Sequence, residues 1–303
     1  MSNPDSIVVK VPATTANLGA GFDCIGAALE FYNEFAFSLS QDDTTFTVEG
    51  EGADKITLDE NNLLYQSFLY YYQQLNLTPP KVNISIKINV PLARGLGSSA
   101  TAIIAGLLGA NHFSSQSLTQ TELLEMAIAL EGHPDNVVPA LLGNCILSVG
   151  EKGNWHFVPI NCHEKIKFIV AIPDFELSTE SARKVLPPHL TYSEAVYNIA
   201  HLGLLIKALE TGNEDWLKEA LQDKLHQPYR KSLIKGYDEI YQAVVNAGGY
   251  GMVISGAGPT LLALTSEQHQ ETVTQAMAQT WASLGVNAIV KCLNLNAQGA
   301  ISE

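Results

Sequence analysis

The chain has 303 residues, of which 46% are hydrophobic and 16% charged. That balance excludes disorder as the main state and supplies apolar material for more than one core. Seventeen Lys and Arg against 31 Asp and Glu give a net charge of −14, a surface that repels phosphate backbones, so no nucleic acid and no anionic membrane is expected as a partner.

Residues 6–11 and 34–39 read as strands, on Val8, Val9 and Val11 and then Phe35, Phe37 and Leu39. The small, Gly-rich segment 12–26 between them reads as a functional loop. A helix is predicted over 62–76, carrying Leu63, Leu64, Phe68, Leu69 and Tyr72; its Tyr70-Tyr71-Tyr72 run is expected to bury one ring and leave two at the surface. Over 82–90, Val82, Ile84, Ile86, Ile88 and Val90 alternate with Asn83, Ser85, Lys87 and Asn89, the pattern of a half-buried strand. A Gly-rich loop follows over 91–101, then a helix to about Phe113 and a second over 118–131, stopped by Gly132.

Beyond it, 167–173 reads as a strand, and 193–211, 214–225 and 233–247 as amphipathic helices. Strand 250–255, a Gly-rich turn over 256–259, strand 260–265, helix 267–284 and strand 287–294 complete the chain. The mixture predicts an α+β sandwich in each half, with domains over 1–160 and 161–303. Cys24, Cys145, Cys162 and Cys292 are scattered without a C-x-x-C pair, pointing away from a zinc site or disulfide framework and toward a reducing compartment. The polar first residues lack a signal-peptide pattern and no apolar run approaches the ~18 residues of a membrane span, so the expected location is the cytoplasm.

The loop Gly95-Leu96-Gly97-Ser98-Ser99-Ala100 is the first chemical signal. Glycines let a backbone approach a phosphate, and free N–H groups at a helix start bind anions. No Gly-Lys-Ser/Thr follows, so it is no Walker A. It also fits G-x-G-x-x-A of dinucleotide sites, but the preceding strand alternates polar and apolar, and no acidic residue ends a second strand ~20 residues on.

The whole run Pro91-Leu92-Ala93-Arg94-Gly95-Leu96-Gly97-Ser98-Ser99-Ala100-Thr101 resembles the phosphate-binding motif P-x-x-x-G-L-G-S-S-A of the GHMP kinases, named for galactose, homoserine, mevalonate and phosphomevalonate. The segment V-P-A-T-T-A-N-L-G-A-G-F-D-C-I-G over 11–26 is similar to that family's first motif, and I-S-G-A-G-P-T over 254–260 to its third. The first motif lacks the P-G-R or P-G-K start of sugar and mevalonate kinases. Together with E-G-H-P-D-N over 131–136, S-T-E-S-A-R over 178–183 and Tyr229-Arg230, it is similar to the homoserine-phosphorylating members.

The resemblance implies a two-domain GHMP fold: an N-terminal domain like ribosomal protein S5 domain 2 and a C-terminal ferredoxin-like sandwich. It implies ATP and Mg²⁺ as cofactors and L-homoserine as substrate, with a homodimer admissible. ATP phosphates would be wrapped by 91–101, with Asn62 and Lys87 as weaker candidates for ribose or phosphate contact and Arg94 only solvated. Ser98 and Glu131 would hold Mg²⁺; a carboxylate at a helix C-terminus is disfavoured by the helix dipole, a sign that something else holds it. For a zwitterionic substrate, Asp23 would take the ammonium and Arg183 and Arg230 the carboxylate, with Asn17 and Thr179 adding neutral hydrogen bonds. His133 reads as a loop histidine rather than a base. Asn136 stands where mevalonate-type relatives carry an Asp base, and an amide accepts no proton, so catalysis would rest on positioning, with the proton passing late to phosphate. Asp135, its rival, would point the other way on an extended segment. Alternatives are a mevalonate- or sugar-type kinase of the same family and a metabolite sensor without turnover.

Overall fold

A computed structural model describes residues 5–303. The first layer comprises β1 Ser6–Ala16, β2 Ile25–Leu39, β3 Thr45–Gly50, α1 Leu63–Gln74, β4 Val82–Ile88, α2 Ser98–Phe113, α3 Gln120–Glu131, α4 Pro134–Leu142, β5 Cys145–Glu151 and β6 Asn154–Ile160. The second comprises β7 Ile166–Pro173, α5 Thr179–Lys184, α6 Tyr192–Thr211, α7 Glu214–Ala220, α8 Gln227–Arg230, α9 Tyr237–Asn246, β8 Gly251–Ile254, β9 Leu261–Ser266, α10 Gln270–Ser283 and β10 Ala288–Leu293. The closing strand β11, Ile301–Ser302, rejoins the first layer.

The first sheet runs β11-β1-β2-β4-β3, with β5 paired to both β2 and β6. In β4, Val82, Ile84, Ile86 and Ile88 are buried and the residues between them exposed, as the alternation predicts. The buried face packs on α1 to α4 through Val9, Phe37, Phe68, Ile84, Ile103 and Val137. The second sheet has the order β10-β7-β9-β8, all neighbours antiparallel. With α10 linking β9 to β10, this is the ferredoxin-like order. One face carries α9 and α10 through Val244, Met252, Met277 and Trp281. The other meets α6, α7 and the first layer in a shared core that includes Leu29, Leu96, Phe168, Val170, Leu205 and Leu217. That core joins the layers and fixes the walls of the cleft described below.

Four features differ from the sequence expectations. The segment 12–26 is mostly strand: β1 continues to Ala16 and β2 begins at Ile25, leaving a loop over 17–24. Pro12 is tolerated because the β1–β2 register shifts between Pro12 and Ala13, and prolines occur at such irregularities. Both Tyr71 and Tyr72 are buried against the end of α2, Tyr71 donating to Asn111 Oδ1 and Gln116 O and Tyr72 to Ala110 O. The hairpin β5–β6 and helix α4 were not anticipated; α4 holds two prolines, but Pro134 sits in its first turn, where no N–H is required. The chain crosses between the layers after β6, close to residue 160, yet it returns: Val9 pairs with Ser302 and Leu29 with Leu295. Among the described residues, no helix is long and apolar enough to cross a membrane.

Candidate active site

Between the two layers lies a cleft of about 340 Å³. One wall is the loop between β4 and α2. Its carbonyls are fastened outward: Leu177 N–H donates to Ala93 O (3.2 Å), Thr260 N–H to Arg94 O (3.2 Å), Ser255 Oγ to Gly95 O (2.7 Å) and Thr14 N–H to Leu96 O (3.0 Å). Binding consecutive carbonyls on the protein side turns the intervening amides toward the cleft, the arrangement of an anion-binding nest. Gly97 caps α2 at φ 67° with no side-chain acceptor, so the amino end of a 16-residue helix opens on the cleft beside Ser98 and Ser99. Gly95 must be glycine: its φ is 75°, and a Cβ would lie 2.3 Å from Ser255 O.

Opposite stand the charged groups. Asp23 and Arg183 form a two-pronged pair, Nη1–Oδ2 3.1 Å and Nη2–Oδ1 2.9 Å. Those hydrogen bonds hold Arg183 firmly cationic. Arg230, only 1% exposed, donates from Nε to Ala182 O (3.1 Å) and from Nη1 to Gly256 O (3.0 Å), and it still lines the cleft. Asn17 and Asp23 both adopt left-handed backbone, which Asn and Asp tolerate better than other side chains. The Asn17 amide ties this loop together, accepting from Asp23 N–H (2.8 Å) and donating to Gly256 O (2.9 Å). Thr179 opens α5 and also lines the cleft.

At the floor, Glu131 ends α3 and accepts a hydrogen bond from Ser99 Oγ (2.8 Å). Burial raises its pKa, partly offset by that hydroxyl. His133 Nδ1 meets Asp135 Oδ1 at 2.6 Å. Burial alone would lower the His133 pKa; the Asp135 hydrogen bond and the charges of Asp135, Glu131 and Asp23 outweigh it and raise the value. Asn136 faces the cleft and accepts from Thr14 Oγ1 (2.8 Å). A second hollow of about 250 Å³ opens from the same loop, sharing Ala93, Ser98 and Ser99 and walled by Phe35, Ile56, Leu63, Ile86, Ile88 and Leu92. A mostly apolar slot beside an anion-binding helix end suits a flat, heteroaromatic base whose phosphates reach into the main cleft.

Comparison with known proteins reads the same way. Residues 62–144 match the GHMP kinases N terminal domain, and residues 205–283 match GHMP kinases C terminal. The homoserine kinase of Crocosphaera subtropica is 58% identical over 97% of both chains, and that of Nostoc punctiforme 56% identical over the full length of each. The chain belongs to the homoserine kinases of the GHMP kinase family. The crystal structure of homoserine kinase from Cytophaga hutchinsonii superimposes with a TM-score of 0.91 at 30% identity, covering 100% of this chain and 99% of that one. L. major mevalonate kinase, at 16% identity and a TM-score of 0.71, shares the fold.

Within this homoserine kinase framework, the structure brings together Asn17, Asp23, Ser98, Glu131, Asn136, Thr179, Arg183 and Arg230 around one cleft. Other expectations need correction. Lys87 lies on the face of β4 opposite the pocket-lining Ile86 and Ile88, 3.7 Å from Glu49. Asn62 borders the apolar slot, but its amide is committed: it caps α1 through Leu64 and Tyr65 N–H and donates to Thr57 O. Arg94 is not solvated. It is buried, donates to the carbonyls of Leu92, Pro173 and Asp174 and pairs with Glu176 at 3.3 Å, so it staples the phosphate loop to the second layer. Pro91, Leu96 and Ala100 are buried behind the loop, and the Thr101 hydroxyl is taken up by Ser98 O and Asn33. The Glu131 carboxylate accepts its hydrogen bond from Ser99, while Ser98, expected to share a metal with it, lines the same cleft. Asp135 and Asn136 lie in the first turn of α4, not on an extended segment.

Sequence reasoning missed Phe22, His226 and Asp223. Asp223 is buried and orders the turn ahead of α8, accepting from Leu225, His226 and Gln227 N–H, and an Asp shortly before a Gln-Pro helix start was the available signal. His226 is fully buried, and burial pushes its pKa down from 6.5 to about 4. Below pH 6.5 the unfolded chain therefore binds a proton that the folded protein refuses until about pH 4. Stability that is present above 6.5 is lost as pH falls through that window, at roughly 1.4 kcal/mol per pH unit. The expected result is that His226→Gln flattens the fall in urea midpoint between pH 6.5 and 4.5; an unchanged slope would show that His226 is not the titrating group.

Proposed function

We propose that this enzyme transfers the γ-phosphoryl group of ATP to the side-chain hydroxyl of L-homoserine, giving O-phospho-L-homoserine for threonine biosynthesis in the cytoplasm. The observation that carries the reading is the meeting of Asp23, Arg183 and Arg230 with the phosphate loop in one cleft. Homoserine offers an ammonium to Asp23 and a carboxylate to the guanidiniums, which leaves its alcohol as the end free to approach the loop. The Asp23–Arg183 pair opens to receive the zwitterion, one ion pair being exchanged for two.

Mg²⁺ is assigned to Glu131 and the neighbouring serine hydroxyls. The fit is chemical: one carboxylate and hydroxyl oxygens beside a phosphate loop are the hard donors this ion takes, with phosphates completing its shell. Bound there, Mg²⁺ would neutralise phosphate charge and offset the raised pKa of Glu131. The amino end of α2 and the inward amides of the loop stabilise the transferring group, and the two arginines hold the acceptor in line. Asn136, its Oδ1 accepting from Thr14, orients without taking a proton, because an amide is no base at neutral pH, and the alcohol proton passes to the transferred phosphoryl.

A coupled ADP-release assay with Mg-ATP against homoserine, serine, threonine, mevalonate and galactose tests the assignment. Turnover confined to homoserine is expected; turnover of mevalonate or galactose would discard the zwitterion clamp. For the proton, Asp135→Asn is expected to keep kcat within about fivefold, because Asp135 is 1% exposed and bonded to His133. A fall of ~10³ would make it the base.

A further inference from the structure

Two arginines that both serve one carboxylate repel each other, and something must hold them together. Arg183 and Arg230 share a single ring: their guanidinium carbons lie 5.7 and 5.1 Å from the centroid of Phe22. An aromatic ring attracts cations placed over its π system and keeps them at a fixed spacing. Phe22 is in turn stacked on His226, centroids 5.0 Å apart at 23°. The imidazole is anchored to the same loop through Nε2 and Gly19 O at 3.3 Å. Neither ring lines the cleft. A neutral imidazole suits this place, because a protonated one would put a third cation behind the pair.

We propose that Phe22 and His226 form a stacked platform that positions both arginines, and that this platform sets the preference for an α-amino acid over the same amino alcohol lacking a carboxylate. They are positioning residues, acting through Arg183 and Arg230. The inference rests on the assignment of homoserine to the cleft. A flat aromatic layer gives both guanidiniums one plane of reference, so their N–H edges present a two-point cradle to one carboxylate. An aliphatic side chain fills the volume but supplies no attraction for cations.

The test compares kcat/KM for L-homoserine with that for 3-aminopropan-1-ol, which keeps the ammonium and alcohol and lacks the carboxylate. In Phe22→Leu the ratio is expected to fall roughly tenfold or more through a higher homoserine KM, and Phe22→Tyr to restore it. His226→Gln, which keeps a donor for Gly19 and removes the ring, provides a second measurement and is expected to lower the ratio as well. A ratio unchanged within about twofold in either soluble variant, as judged by its thermal unfolding, would overturn the platform. Wild-type enzyme that turns over no homoserine would instead overturn the substrate assignment beneath it.

Discussion

Gly95→Ala is expected to lower kcat/KM for ATP by at least ~10²-fold and to destabilise the protein by about 2–4 kcal/mol. Two independent costs act at this position. The backbone sits at φ 75°, where a Cβ costs roughly 1 kcal/mol or more. The added methyl would also stand 2.3 Å from Ser255 O and 2.8 Å from Gly258 O, both backbone atoms that cannot swing aside. Relief requires the loop to retreat from the 255–260 turn, which breaks the Ser255 Oγ to Gly95 O hydrogen bond and moves the amides that face the phosphates. A displacement near 1 Å is enough for such a loss. Urea denaturation with steady-state kinetics at varied ATP checks both effects; a variant with wild-type KM for ATP would show that the loop does not cradle the phosphates. Gly153, whose added Cβ meets nothing within 4 Å, provides the control position for the backbone cost alone.

Arg230→Met is expected to reduce kcat/KM for homoserine by ~10²–10³. Methionine preserves much of the apolar stem and removes the charge proposed to meet the carboxylate, in a setting where water cannot replace it. The size of the effect follows from burial: the side chain is 1% exposed, whereas Arg183 is 39% exposed. Arg183→Met is therefore expected to cost less, by about a factor of ten, because solvent screens its partner. The two carbonyls that Arg230 satisfies, Ala182 O and Gly256 O, lose their donor in the variant, so thermal unfolding should be measured beside the kinetics. Equal losses for the two variants would argue against Arg230 as the dominant carboxylate contact.

Much of the fold could be read from the residues because local and tertiary preferences agree there. The alternation in β4 and the amphipathic patterns of α6 and α9 each match the buried face that the sheets require. The phosphate loop was legible because Gly, Pro and Ser carry explicit backbone instructions. What escaped had a different cause. The extension of β1 past Pro12 depends on a register shift that pairing with β2 determines. The Arg94 staple and the Phe22–His226 stack depend on contacts 79 and 204 residues apart along the chain, which no local pattern encodes. Asp23, Arg183 and Arg230 could be singled out by residue type and position, and they do meet in one cleft; that Asp23 and Arg183 would neutralise each other could not be read.

The last strand has a consequence for how the molecule can be taken apart. Val8 and Glu303 exchange backbone hydrogen bonds of 3.0 and 2.9 Å, and Lys10 reaches the Glu303 carboxylate at 3.1 Å. The nominal second domain thus completes the first one's sheet, and no single cut separates them into closed units. A piece ending near residue 160 would present β1 as a bare edge along Val9 and Lys10, open to pairing with any extended chain it meets. Severing the connection between β6 and β7 while joining the ends through a short linker would, by contrast, leave every strand with its neighbour. The molecule is in this sense a closed ring of contacts, with its seam lying beside the chain ends.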